Sequence, residues 1–240
     1  MAKETISVNI DPKEIEKFES LAQRWWDPNS EFRTLHHINP TRLNYINDKA
    51  NLKNKTVIDI GCGGGILTQS MAELGAKATG LDPAKASITV AKLHALETGM
   101  DKHVRYIQDD PDEFAKNQSE KFDIVTALEI LEHVPDYAQL VKTIAHIVKP
   151  GGKIFFSTIN RHPKAYLLAI LGAEYLMNIL PRGTHEFQKF IKPSELSKAI
   201  REAGLIMKEL VGFSYNPLTG RSGLSESVDV NYLIFAEKPN

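Results

Sequence analysis

The stretch Val57-Ile58-Asp59-Ile60-Gly61-Cys62-Gly63-Gly64-Gly65 joins a hydrophobic run to a glycine-rich turn, and a helical pattern begins near Ile66. Glycines let the backbone approach a bound molecule closely, because no Cβ atom stands in the way. The free N–H groups at the start of the following helix favour an anionic group such as a carboxylate. A strand, a glycine turn and a helix in this order predict a cofactor-binding loop.

The residues around this loop indicate which cofactor it binds. Asp82 ends the next predicted strand, where a carboxylate can accept hydrogen bonds from both hydroxyls of a ribose. The dinucleotide fingerprint G-x-G-x-x-G/A needs a small residue where this chain has Ile66, so a dinucleotide is disfavoured. The alternative pattern, acid-x-G-x-G-x-G, is met by Asp59, Gly61, Gly63 and Gly65. It predicts S-adenosylmethionine, whose ammonium group the first acid would engage.

Outside the loop, short β-branched runs alternate with helical stretches, which is typical of a parallel sheet covered by helices. The predicted strands are 56–60, 77–81, 104–108, 122–127 and 153–157, and the predicted helices between them are 66–74, 84–98 and 137–148. Later segments read as a helix at 194–203 and extended runs at 206–215 and 230–237. We therefore predict an α/β fold with a doubly wound, mostly parallel, Rossmann-like sheet.

The length and composition favour one domain. Of 240 residues, 42% are hydrophobic and 25% are charged, as in ordinary globular proteins. The predicted parts are a helical cover (1–50), a cofactor-binding core (51–160), an apolar insertion (161–192) and a C-terminal helix with closing strands (193–240). A net charge of −1 supplies no positive field for nucleic acid. The single cysteine, Cys62, suits a reducing cytoplasm.

Three side chains after the fourth predicted strand are candidates for chemistry. Glu129, Glu132 and His133 stand at i, i+3 and i+4, so a helical turn would project all three to one side. Such a trio can bind a divalent cation, Mg²⁺ first among them, or supply a general base for a phenol. In the alternative interpretation, Glu132 and His133 cap the following turn, and Glu129 is an ordinary acid near the cofactor.

Asp109 follows the third predicted strand, where its side chain would meet the adenine amino group of the cofactor. The alternative is a solvated acidic turn. The apolar insertion at 165–180 is too short to span a membrane. Glu174 and Asn178 lie on one helical face of it and leave a broad apolar face. That face would cover a hydrophobic substrate or rest on lipid headgroups, and the alternative is a buried core helix.

Further motifs give a resemblance that covers nearly the whole chain. They include Arg24-Trp25-Trp26-Asp27, Ile38-Asn39-Pro40 with Arg42, Ala91-Lys92-Leu93-His94-Ala95-Leu96, Leu131-Glu132-His133-Val134-Pro135, Gly172-Ala173-Glu174-Tyr175, Gly183-Thr184-His185, Phe190-Ile191-Lys192-Pro193 and Val228-Asp229-Val230-Asn231-Tyr232. With these motifs the sequence resembles the ubiquinone biosynthesis O-methyltransferase family. It departs from that family at Asp110-Pro111 and at Leu128, which replaces a frequent methionine.

The resemblance implies a class I S-adenosylmethionine methyltransferase that performs two O-methylations, one on a polyprenylated catechol and one on a demethylubiquinol. It implies peripheral association with the inner membrane, through a lid at 165–180, and contact with other enzymes of ubiquinone biosynthesis. It also implies a cofactor site lined by Arg42, Gly61, Asp82 and Leu128. Glu129, Glu132 and His133 match the metal-binding pattern of eukaryotic relatives.

Two other functions stay open at this point. The chain could be a C-methyltransferase, or an O-methyltransferase for another small phenol. It could also be a catalytically silent cofactor-binding module that docks on a membrane complex, although the full set of acidic residues after the fourth strand argues against silence.

Overall fold

The computed structural model describes residues 9–166 and 187–240, in which eight strands form one sheet. The strands are β1 (Thr56–Ile60), β2 (Lys77–Asp82), β3 (Val104–Gln108), β4 (Phe122–Leu128), β5 (Val148–Ile159), β6 (Ile206–Asn216), β7 (Arg221–Ser225) and β8 (Asn231–Glu237). Their order across the sheet is β3-β2-β1-β4-β5-β8-β6-β7. Strands β1 to β5 pair in parallel, whereas β8 runs antiparallel between β5 and β6.

Helices surround this sheet. They are α1 (Pro12–Leu21), α2 (Arg33–Ala50), α3 (Ile66–Glu73), α4 (Lys85–Glu97), α5 (Pro111–Ala115), α6 (Tyr137–Ile147), the single turn α7 (Pro163–Ala165) and α8 (Pro193–Glu202). Short 3₁₀ turns lie at Ala22–Arg24, Leu131–His133 and Phe187–Lys189. The predicted Rossmann-like α/β fold with a mostly parallel sheet is confirmed, since each predicted strand and helix in the described residues is present.

The differences from the sequence prediction have local causes. Strand β7 reads Arg-Ser-Gly-Leu-Ser and has no β-branched residue, so it was missed; it exists because it pairs with β6 as the second arm of a hairpin. Helix α5 was also missed, although Asp110 caps it and Pro111 begins it. Strand β5 begins at Val148, before the predicted start at residue 153, and it pairs with β4 across a register shift between Phe122 and Ile124.

The first helix of the N-terminal cover, α1, is capped by Asp11, which accepts a hydrogen bond from the backbone N–H of Lys13. Trp25 and Phe32 then pack against Ile66 at the beginning of α3. This packing places α1 and α2 above the carboxyl ends of the central strands. A cleft between them and the sheet is the result.

The predicted apolar insertion helix at 165–180 lies outside the described residues, apart from its first two positions. Within residues 9–166 and 187–240, none of the helices has both the length and the apolar character that crossing a bilayer requires.

Candidate active site

A cavity of about 610 Å³ opens at the carboxyl ends of β1, β2 and β4, the edge where open α/β sheets bind ligands. Its volume is in the usual range for small-molecule sites. The cavity wall contains nine of the ten residues that the sequence predicted for the site: Arg42, Asp59, Gly61, Gly63, Asp82, Leu128, Glu129, Glu132 and His133. The sheet, the N-terminal cover and the β6–β7 hairpin all contribute to the wall.

The glycine loop has a backbone that only glycine adopts without strain. Gly61, Gly63 and Gly65 have φ angles of +73°, +52° and +87°. A Cβ atom on Gly63 would lie 2.4 Å from the Trp25 indole ring, which itself stacks on Phe32 at 3.9 Å. Glycine is therefore needed at position 63 for the packing of Trp25 from the N-terminal cover, as well as for the approach of a ligand.

Asp59 lies at the bottom of the cavity and is almost fully buried. The hydroxyls of Thr68 and Thr126 each donate to one of its carboxylate oxygens at 2.7 Å. Burial raises the pKa of Asp59 to about 6, even though the two hydroxyls favour its charged form. Each carboxylate oxygen has a second lone pair, so Asp59 can still accept from an ammonium group.

Asp82, at the end of β2, links the glycine loop to the turn that precedes α4. It accepts hydrogen bonds from the backbone N–H groups of Gly63 at 2.9 Å and of Ala84 at 2.8 Å. Burial raises its pKa to about 6 as well. The glycines of this loop leave room beside the backbone, and the carboxylates of Asp59 and Asp82 flank it. This arrangement fits S-adenosylmethionine: Asp59 would hold the ammonium group and Asp82 the ribose.

Arg42 and Glu129 form a buried ion pair above the end of β4. The Arg42 Nη2 atom lies 2.5 Å from Glu129 Oε1, which also accepts a hydrogen bond from Ser157 at 2.8 Å. The Arg42 Nε atom is buried without a hydrogen-bond partner among the described residues. Arg42 itself lines the cavity, where its guanidinium would be a suitable partner for the carboxylate of the cofactor.

Glu132 lies beside Glu129 but is more deeply buried. It is buried, and the Thr158 hydroxyl donates to its Oε2 atom at 2.7 Å. Burial, reinforced by the negative charge of Glu129, raises the pKa of Glu132 well above its usual range. Burial therefore favours the protonated form of Glu132 over its carboxylate.

His133 occupies a different part of the wall and contacts the N-terminal cover. Its Nδ1 atom lies 3.0 Å from Glu14 Oε2, and its ring meets Phe18 edge-on at 5.3 Å. Its Nε2 atom has no hydrogen-bond partner among the described residues. A ring held on one side with its second nitrogen unpaired in a cavity wall is a suitable general base.

The expected metal-binding trio is not brought together. Glu129 has a φ of +55° and Leu131–His133 is a 3₁₀ turn, so the segment lacks the continuous α-helix that would align the three side chains. Arg42 pairs with Glu129, the Thr158 hydroxyl bonds Glu132, and His133 turns toward Glu14. Across the described residues, no group of three His, Cys, Asp or Glu side chains is arranged to hold a metal ion. In this arrangement these residues do not fit Mg²⁺.

Asp109 is the predicted site residue that does not line the cavity. Its carboxylate accepts a hydrogen bond from the backbone N–H of Asp110 at 2.9 Å, and Asp110 in turn caps α5. Pro111, which follows it, does line the cavity. The adenine contact of Asp109 stays a prediction.

Comparisons with known proteins agree with this geometry. A family model described as a methyltransferase domain matches residues 33–210. The ubiquinone biosynthesis O-methyltransferase of Pseudomonas syringae is 55% identical over 94% of this chain and 97% of its own length. The protein of the same name from Nitrosospira multiformis is 55% identical over 95% of each chain. This chain belongs to the ubiquinone biosynthesis O-methyltransferase family.

Solved structures agree on the fold. Magnesium protoporphyrin IX methyltransferase from Synechocystis, with bound S-adenosylhomocysteine, superposes with a TM-score of 0.66 at 16% identity, covering 93% of this chain and 94% of its own. A methyltransferase from Thermotoga maritima gives 0.63 at 19% identity, covering 94% of this chain and 99% of its own. This family member therefore has the fold of S-adenosylmethionine-dependent methyltransferases.

Sequence reasoning missed several residues of this O-methyltransferase site. Glu14 was not considered, although it lies one helical turn before Phe18 on the same face of α1. Phe213 and Tyr215 on β6 and Ser225 on β7 were missed because the hairpin reaches the cavity only through the antiparallel end of the sheet. The helical spacing of Glu14 and Phe18 was the one available signal.

The raised pKa values of Asp59 and Asp82 predict that cofactor binding depends on pH. Both carboxylates are partly protonated near pH 6 in the free enzyme, whereas an ammonium group and ribose hydroxyls bind the ionised forms. We expect S-adenosylhomocysteine affinity to fall about 100-fold as the pH decreases from about 7 to about 5, about tenfold for each of the two carboxylates. Titration calorimetry in buffers of different ionisation enthalpy should detect proton release at about pH 6. An affinity independent of pH over this range would show that these groups stay ionised.

Proposed function

We propose that this chain transfers the methyl group of S-adenosylmethionine to a phenolic oxygen of polyprenylated catechol and demethylubiquinol intermediates, and so performs both O-methylation steps of ubiquinone biosynthesis. The observation that carries the proposal is the position of His133, which lines the same cavity as Asp59 and Asp82 and is held there through its Nδ1 atom by Glu14. The names of the relatives support this choice of substrate.

The proposed reaction needs a base because the substrate is a phenol. A phenol with a pKa of about 10 is ionised to about one part in a thousand at pH 7, which corresponds to roughly 4 kcal/mol. His133 accepts the phenol proton on Nε2, and the oxygen then takes the methyl group as the carbon–sulfur bond breaks. The proton afterwards leaves Nε2 for solvent. When bound, S-adenosylmethionine supplies an electrophilic methyl group, and the cavity wall holds the acceptor oxygen in line with it.

The test is a methyl-transfer assay with labelled S-adenosylmethionine and a short-tailed demethylubiquinol or catechol. We expect a methoxy product, and we expect His133→Ala to lower kcat about 100-fold because general base catalysis is lost. Binding of S-adenosylhomocysteine should stay within about twofold, since the cofactor contacts lie elsewhere in the cavity. Full kcat in His133→Ala would contradict the role of the base, and a C-methyl product would contradict the reaction type. A parallel assay with a chelator tests whether a metal ion is needed. Because Glu129, Glu132 and His133 are not arranged to hold one, we expect the rate to stay unchanged.

We further propose that the enzyme contacts the membrane surface through the insertion at 165–180, because its proposed substrates carry polyprenyl tails. The sequence of this segment has a broad apolar face suited to lipid headgroups. The variant with Leu168→Glu and Leu171→Glu should sediment with anionic lipid vesicles at least about fivefold less than wild type. A control variant places the same two charges on α4, at the exposed residues Leu93 and Leu96. Equal sedimentation of both variants would contradict this proposal.

A further inference from the structure

Glu14 and His133 are neighbours in space although they are far apart in the chain. Helix α1 carries Glu14 over the cavity, and its Oε2 atom lies 3.0 Å from Nδ1 of His133. Both side chains are largely buried, with exposed fractions of 15% and 12%. Both also line the cavity that holds the proposed methyl acceptor. The contact therefore links the N-terminal cover directly to the proposed base.

The surroundings of Glu14 keep it ionised. Lys17 lies 3.5 Å from its carboxylate, and Lys189 lies 3.4 Å from it and 3.5 Å from Asp11. The two ammonium groups favour the charged form of this carboxylate, and a glutamate is already ionised at neutral pH with its ordinary pKa.

This charge state fixes the direction of the hydrogen bond. An ionised carboxylate can only accept, so Nδ1 of His133 must carry the proton and donate it to Glu14. In a neutral imidazole the lone pair is then on Nε2, the nitrogen without a partner among the described residues. The edge of Phe18 against the ring restricts its rotation.

We propose that Glu14 is the positioning residue for His133: its carboxylate fixes the tautomer and the orientation in which Nε2 faces the methyl acceptor. This inference rests on the proposed function of His133 as the base. When Nε2 takes the phenol proton, the ring becomes an imidazolium, and the negative charge of Glu14 stabilises it at a distance of 3.0 Å. After methyl transfer the proton leaves Nε2 for solvent and the pair returns to its starting state.

The test compares Glu14→Gln with Glu16→Gln. Glutamine at position 14 keeps the size of the side chain and removes its charge. Glu16 lies two residues further along α1, is exposed and does not line the cavity, so its variant is a matched control for loss of one negative charge from this helix. We expect Glu14→Gln to lower kcat about 10- to 100-fold, with KM for the quinol and Kd for S-adenosylhomocysteine within about twofold of wild type. Glu16→Gln should match wild type in all three.

A second measurement needs no substrate. Imidazole ¹⁵N NMR at about pH 8, above the usual histidine pKa, should show His133 of the wild-type enzyme protonated on Nδ1 and unprotonated on Nε2. The signals are assigned by their loss in His133→Gln. In Glu14→Gln we expect the two tautomers to mix, because the amide can both donate and accept.

The outcomes separate this inference from the function on which it rests. Wild-type kcat in Glu14→Gln, or a lowered kcat with the tautomer unchanged, would overturn the positioning role while leaving the proposed reaction intact. If His133→Ala kept full kcat, the proposed base would be wrong, and the positioning role would fall with it. A parallel loss of S-adenosylhomocysteine binding in Glu14→Gln would instead assign Glu14 a general structural role in closing α1 over the site.

Discussion

Gly63→Ala is expected to weaken S-adenosylhomocysteine binding about 1000-fold, which corresponds to roughly 4 kcal/mol. Two costs add. A φ of +52° is strained for alanine and costs about 1–2 kcal/mol. The new Cβ would also lie 2.4 Å from the Trp25 ring, which cannot move without breaking its stack on Phe32. The loop or the indole must shift, and either movement disturbs the hydrogen bond from the Gly63 N–H to Asp82.

Gly99→Ala is the matched control for this prediction. Gly99 has a φ of +71°, but no atom lies within 4 Å of the position of its Cβ. The variant should therefore lose about 1 kcal/mol of unfolding free energy through backbone strain and keep S-adenosylhomocysteine affinity within about twofold. Calorimetric titration of both variants checks the difference. Equal losses of affinity would show that the surroundings of Gly63 are unimportant.

Arg42→Met is expected to lower the free energy of unfolding by about 3 kcal/mol, because it leaves the Glu129 carboxylate buried without its cation. The exposed fractions of the two side chains are only 8% and 20%, so water compensates little. The double variant Arg42→Met/Glu129→Gln removes both charges and should lose at least about 1 kcal/mol less than the sum of the single losses. Denaturant unfolding of the four proteins measures this coupling.

An exposed ion pair supplies the control. Arg24 and Glu31 are also 2.5 Å apart, but Arg24 is 52% exposed. Arg24→Met should cost no more than about 1 kcal/mol, since water replaces the lost partner. Two results would contradict the view that burial gives the Arg42 pair its effect. One is a double variant whose loss of unfolding free energy equals the sum of the losses at Arg42 and Glu129. The other is an equal loss for Arg42→Met and Arg24→Met.

The sequence predicted the sheet and the cofactor loop well, because both depend on short-range chemistry. The glycines at 61, 63 and 65 have positive φ angles in the structure, as a strand-to-helix turn of this pattern requires. Asp59 and Asp82 lie at strand ends in one cavity because parallel strands end at the same edge of a sheet. Neighbouring residues in the chain decide these features.

The sequence predicted the chemistry of Glu129, Glu132 and His133 less well. Their spacing suggested one cluster, but a left-handed backbone at Glu129 and a 3₁₀ turn after it direct the side chains to separate partners. One is an arginine on α2 and another is a glutamate on α1. Spacing in the chain fixes relative direction only within a regular helix.

By itself, therefore, the sequence determined the α/β sheet, the glycine loop, the two acids beside it and the family. Only the tertiary structure decided that Arg42 pairs with Glu129, that burial raises the pKa of Glu132, and that Glu14 holds His133. The physical reason is that backbone conformation depends mainly on adjacent residues, whereas the charge and orientation of a buried side chain depend on which distant elements pack against it.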